Sequence, residues 1–391
     1  MNSTQWFSRN VLILGLVSLL SDFGSEMATA ILPAFLISLG GSAALLGLIE
    51  GIANASISIV GIFSGMASDY TTARKPFAAA GYLVASLGIV SLSLAHRALH
   101  VLCGRILTRV GKGVRDPARD ALLASGGTTK VYGRIFGFAR ALDTIGAILG
   151  PLAAIILLKF VTFAAIFMVS ALIVCLAFFL VVFAVREVKA PLGPRKSFSL
   201  HWHSLPRQFK SFCAAMGVFG LGNCAVTLLA LRVIELLEPS RGAFTAELFS
   251  IGLYALFNVF YAAFSFPVGY LADHVGKKKI LFIGYLFTGI VLLGFACITA
   301  NVGLVIGLFC AMGLAYAIVD GLQRAVAADL LHHEIRGTGY GILAAITGVG
   351  NLCSSIVVGF LWTNIDPFVG FAYAAIMCVI GSFLLVWVKE E

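Results

Sequence analysis

Charge is scarce in this chain: only 12% of its 391 residues are Asp, Glu, Lys or Arg, and only 18 are acidic. A water-soluble domain carries about a quarter, so that class is excluded. The eight cysteines show no paired spacing and the seven histidines no ligand pattern, which excludes a disulfide framework, a CxxC redox centre and a metal site. No nucleophile and base fall on a shared face, so no enzyme is expected. No soluble domain of the kind a sensor carries is expected either.

What is abundant is apolar. Hydrophobic residues make up 60% of the chain, 31 of them phenylalanine, and the mean hydropathy is +1.01. A membrane-spanning helix needs about 20 mostly apolar residues. Such runs lie at 11–38, 44–67, 76–95, 99–122, 134–158, 161–185, 209–236, 245–270, 280–299, 303–330, 337–361 and 368–388. They predict an all-α polytopic membrane protein with twelve transmembrane helices. The first run continues past Asp22 and Glu26 with no cleavage region, so it is expected to be a retained helix and not a signal peptide. All eight cysteines fall inside the runs, where small buried hydrophobes are expected.

The net charge of +9 does not point to nucleic acid, because its distribution follows the membrane. Threading the runs puts Arg74, Lys75, Lys130, Arg134, the stretch 186–210, Lys277 to Lys279, Arg336 and Lys389 on one side. Only Arg97, Lys159 and Arg241 fall on the other. By the positive-inside rule both termini are cytoplasmic, in a multi-pass protein of a bacterial inner membrane.

The longest polar interruption, residues 186–210, has three prolines and a basic bias. It divides the chain into a six-helix bundle at 1–185, a cytoplasmic linker at 186–210 and a second bundle at 211–391. His201, Trp202 and His203 in the linker are expected to be solvated. At a shift of 204 residues the halves match: Asn54 with Asn258, Gly65 with Gly269, Asp69 with Asp273, Gly133 with Gly337, Gly137 with Gly341 and Gly146 with Gly350. Helices 4 and 10 align at a shift of 209, bringing Asp120 of "ARDALL" to the level of Asp329 of "AADLLH". Two pseudo-symmetric bundles made by duplication point to a transporter.

"GMASDYTTARKP" from Gly65 and "GYLADHVGKKK" from Gly269 resemble the Gly-x-x-x-Asp and basic-loop motif of the major facilitator superfamily. The first copy departs from it at Tyr70, Thr72 and Ala73. The resemblance covers the whole chain. It implies the family's fold and a cytoplasmic gate in which Asp69 meets the start of helix 11 near Gly337, and Asp273 the start of helix 5 near Gly133. Gly65, Gly269, Asp120 and Asp329 belong to the same gate.

The few charges are concentrated. On a helix at 100° per residue, Arg105, Arg109, Lys112, Asp116, Arg119 and Asp120 of helix 4 share about a third of the circumference, with Arg115 just outside. Lys112 lies about 20 Å below the outer face, so the stripe must face a cavity or partners. Asp22 and Glu26 on helix 1, Glu50 on helix 2 and Asp143 on helix 5 supply partners: with Asp116 and Asp120 they set six acids against the six bases Arg105, Arg109, Lys112, Arg115, Arg119 and Arg140. Internal neutralisation therefore competes with binding of an anionic solute as the reason for the stripe. The second half offers Asn223 where helix 1 has Asp22, and Tyr316, Asp320, Gln323 and Arg324 along helix 10.

An acid alternating between cavity and ion pair can load and release a proton. Asp22 and Glu26, then Glu50, are the candidates for coupling. Arg105 matches the helix 4 arginine that the superfamily associates with proton transfer. Arg109, Lys112, Asp143, Asn223, Tyr316, Asp320, Gln323 and Arg324 are candidates for lining the substrate cavity. "GFARALDTIGAILGPLAA", with Gly137, Gly146, Gly150 and Pro151, resembles the superfamily's antiporter motif on helix 5. That resemblance implies proton-coupled antiport of a small organic solute, in the outward direction. Uptake of an anionic solute with protons, such as a carboxylate or siderophore, stays open. A monomer with no cofactor, driven by the proton gradient, is expected.

Overall fold

The computed structural model describes residues 8–71, 73–125, 132–187, 205–331 and 336–388. Among these residues the chain forms thirteen helices and no strand. They are α1 (Arg9–Ser38), α2 (Ala43–Thr71), α3 (Lys75–Ser93), α4 (Ala98–Ala124), α5 (Tyr132–Leu157), α6 (Phe163–Ala184), α7 (Arg207–Gly220), α8 (Val226–Arg241), α9 (Ala243–Val275), α10 (Lys277–Cys297), α11 (Val302–Asp329), α12 (Arg336–Asn364) and α13 (Pro367–Val386). His201, Trp202 and His203 lie outside the described residues.

Helix starts carry the expected caps. Ser8 accepts from the Val11 N–H, Asn301 from Leu304 and Asp366 from Phe368, the last with a proline in the first turn. Ten helices are long and apolar enough to cross a membrane. The charges of α4 disqualify it by composition, and α7 and α8, at 14 and 16 residues, are each too short.

The expected span at 209–236 is corrected by the structure. It is two helices, α7 and α8, separated at residues 221–225. The sequence there is Leu-Gly-Asn-Cys-Ala, and Gly222 lies so close to the Ala374 carbonyl of α13 that no side chain fits. Cys224 therefore sits in the break and not inside a helix, and Cys103 and Cys297 are exposed where burial was expected.

Two compact units result, one from residues 1–40 and 52–195 and the other from 41–51 and 196–391. Each repeats the same pairings. In the first unit α1 packs on α5 and α6, and α3 on α4 and α6. In the second, α7 packs on α12 and α13, and α10 on α11 and α13. Close backbone approach makes these pairings possible. Gly146 and Gly150 of α5 meet the Leu19 and Phe23 carbonyls of α1, and Gly220 of α7 meets Gly350 of α12.

Candidate functional site

The site of the first unit is built on the seam of α1, α3 and α4. Gly81 of α3 abuts the backbone of Arg115 and the Gly111 carbonyl of α4, and Gly111 abuts Ala85. With no side chains between the backbones, α4 can lay a long side chain across α3. Arg115 does so: its guanidinium carbon stands 4.6 Å from the centre of the Tyr82 ring.

Arg115 is 1% exposed. Its Nε donates to Asp116 Oδ1 at 3.1 Å, and its Nη2 reaches Asp22 Oδ1 of α1 at 3.5 Å. Its Nη1 donates to Ser21 Oγ in a short contact. One turn on, Arg119 repeats the arrangement. Its Nε and Nη2 donate to Asp120 Oδ1 at 3.1 and 3.0 Å, and its Nη1 donates to Ser18 Oγ at 3.3 Å. The same Nη1 stands 3.7 Å from Asp143 Oδ1 of α5. A charge moved out of water costs several kcal/mol unless paired, which is why each guanidinium has acids on two sides.

This geometry assigns the partners on helix 4. Asp22 is paired by Arg115, the residue expected to lie just outside the stripe. Asp143 and Asp120, assigned to the cavity and the gate, belong to the same ion network. Arg105 is buried and donates to Thr29 Oγ1 of α1 at 3.0 Å. Arg109 and Lys112 are half-buried. Glu26 is half-buried one turn beyond Asp22, and Glu50 is buried in the segment 41–51 grouped with the second unit.

The second unit uses the same seam without the charge. Tyr285 and Gln323 follow Tyr82 and Arg115 by 203 and 208 residues. Gln323 Nε2 donates to the Tyr285 hydroxyl at 2.8 Å, both buried. Where α1 brings Ser21 and Asp22, α7 brings Phe219, stacked on the Tyr285 ring with centroids 3.7 Å apart. Asn223, in the break after α7, donates to Asn351 Oδ1 of α12 at 3.3 Å, and the Ala225 N–H donates to Ser355 Oγ at 3.2 Å. Tyr316 stands edge to face with Phe257 and with Tyr261, ring centroids 5.2 and 6.5 Å apart. The Tyr261 hydroxyl donates to Asp320 Oδ2 at 2.7 Å, and Arg324 reaches Asp320 Oδ1 at 3.4 Å.

A sequence model described as the Major Facilitator Superfamily matches residues 14–240 and 211–391. The chain belongs to this superfamily. It is 35% identical over 383 residues, 97% of this chain and 95% of the relative, to an uncharacterized MFS-type transporter of Methanocaldococcus jannaschii. It is 22% identical over 340 residues, 84% of this chain and 80% of the other, to the multidrug resistance protein MdtH of Salmonella paratyphi C. Among solved structures, the nucleoside transporter NupG matches with a TM-score of 0.83 at 12% identity, covering 97% of this chain and all of that one. Family and fold are those of a multi-pass membrane transporter of small molecules, not of an enzyme.

Within this MFS chain the residues expected at the gate fall as follows. Gly65 lies against Pro117 of α4, and the side chain of Asp69 is outside the described residues. Gly269 has open space around it. Asp273 is exposed and lines a cavity of about 470 Å³ with Gln208, Lys277, Lys278 and Asp329. Lys277 Nζ bonds both oxygens of Asp329 at 3.0 and 2.8 Å. In the helix 5 motif, Gly146 and Gly150 pack on α1 while Gly137 meets nothing within 4 Å, and Pro151 lies inside α5.

The site residues missed from sequence are Tyr82, Tyr285, Tyr261 and Asn351. Tyr82 and Tyr285 carried a signal, since they match at almost the same shift as the other repeat positions. Asn351 carried none, being one small polar residue in an apolar run.

Proposed function

We propose that this MFS protein is a proton-coupled antiporter that exports a small organic solute by alternating access, as a cofactor-free monomer with both termini in the cytoplasm. The observation that carries the reading is the chain of acids and guanidinium groups from Asp22 through Arg115 and Arg119 to Asp143, buried or half-buried in one helix bundle. Such a chain can take a proton onto an acid while its cation shifts to the next one, so protonation state and helix position become linked. The contact of Gly146 and Gly150 with α1, within a stretch resembling the antiporter motif, supports exchange. So does likeness to a protein named for multidrug resistance.

Proteoliposomes with an imposed pH gradient test this, using ethidium, succinate, uridine and dialanine as separate probes. An antiporter accumulates its solute in vesicles with an acidic lumen, because protons leaving drive solute in. Accumulation only in an alkaline lumen, for succinate above all, identifies the anionic-solute symporter and contradicts antiport.

A further inference from the structure

The four acids of the network are not equally held. Protonating Asp116 or Asp120 would break charge-assisted hydrogen bonds at 3.1 and 3.0 Å, and Asp22 is engaged by Arg115 at 3.5 Å. Asp143 differs. It is 6% exposed, and its Oδ1 accepts no hydrogen bond. Arg119, its ion-pair partner at 3.7 Å, is hydrogen-bonded instead to Asp120 and Ser18. The charged groups facing Asp143 are Asp22 on α1, Lys112 and Arg119 on α4, and Arg140 on α5 itself, with Asp116 and Asp120 beside Arg119. Asp143 lies about 17 Å along α5, near the middle of a helix about 39 Å long.

We infer that Asp143 is the carboxyl group that takes up and releases the coupled proton, with Arg119 as the cation that displaces it. The inference rests on the antiport reading. With Arg119 held on Asp120, a proton from water forms an O–H bond at Asp143 Oδ1, and no existing hydrogen bond is lost. When Arg119 moves the remaining distance toward Asp143, the guanidinium replaces the proton, the O–H bond breaks and the proton returns to water. One proton is exchanged per cycle, and no other covalent bond changes; Arg119 exchanges its hydrogen bonds to Asp120 for ones to Asp143. Ser18 gives Arg119 Nη1 a resting partner between the two acids. Asp143 was expected to line the substrate cavity. The unfilled oxygen assigns it to the proton instead.

Dicyclohexylcarbodiimide adds to protonated carboxyl groups in apolar surroundings and leaves a stable N-acylurea, so it reports the protonated acid without any substrate. The reconstituted full-length protein is labelled across a pH series and mapped by peptide mass. The expected label is on Asp143, is lost as pH rises and the protonated form is depleted, is absent from Asp143→Asn and returns in Asp143→Glu. Because the label is read on the unmodified chain, a misfolded variant does not decide the result. Label on Asp22 or Asp116 with Asp143 untouched overturns the inference, and antiport stands if the pH gradient still drives solute. Label on Asp143 in a protein that no pH gradient drives overturns the coupling role together with the antiport reading.

Discussion

Tyr82 with Arg115 and Tyr285 with Gln323 are one seam built twice. In both units a helix lays a long side chain across a buried tyrosine on its neighbour. In the first the side chain is a cation and draws in Asp22, Asp116 and Ser21. In the second it is neutral, and an aromatic ring takes the place of the acids. The two units share the packing, and different residues at a few positions give one charge and the other aromatic and amide contacts. On the proposed function, a carrier that binds a proton and an organic solute has reason to keep these environments apart.

The comparison is broken most forcefully at the two equivalent side chains. Arg115→Leu strands Asp22 and Asp116 and should cost about 3–5 kcal/mol. Gln323→Leu leaves only the Tyr285 hydroxyl without its partner, at about 1–3 kcal/mol. Thermal unfolding in detergent measures both, and equal losses would show that the charge has no special place in the first unit.

The glycines should behave alike in the two units, because the packing is shared. Gly146→Val and Gly350→Val each force two backbones apart, at about 1–3 kcal/mol. A tolerated substitution at one and not the other would mean that the packing differs as well. Smaller effects are expected further out. Tyr261→Phe removes one hydrogen bond to Asp320, worth about 1 kcal/mol. Lys277→Ala removes an ion pair whose acid is 56% exposed, worth about 0–1 kcal/mol.

Much of this fold could be read from the chain, since hydropathy and the repeat at a constant shift need only composition and spacing. Interruption of the seventh span could not, because Leu-Gly-Asn-Cys-Ala is mostly apolar and a hydropathy window does not register the close approach of Gly222 to α13. The charge stripe was legible as a stripe that includes Asp120, with Asp22 and Asp143 as partners for it. Arg115 was set outside it by an ideal helical wheel. What brings it to the partners is the close approach of α3 and α4 at Gly81 and Gly111, which opens the room that the side chain fills. Pair assignments depend on such contacts between helices, which no single helix encodes.

The central claim is that the unit with the charged seam handles the proton and the unit with the uncharged seam does not. Solute accumulation in acid-lumen proteoliposomes, compared between Asp143→Asn and Asp320→Asn, tests it directly. The account predicts that Asp143→Asn loses gradient-driven accumulation while exchange of labelled for unlabelled solute continues without pH dependence, and that Asp320→Asn alters solute affinity but keeps the gradient response. Loss of the gradient response in Asp320→Asn, with its retention in a folded Asp143→Asn protein, would contradict it.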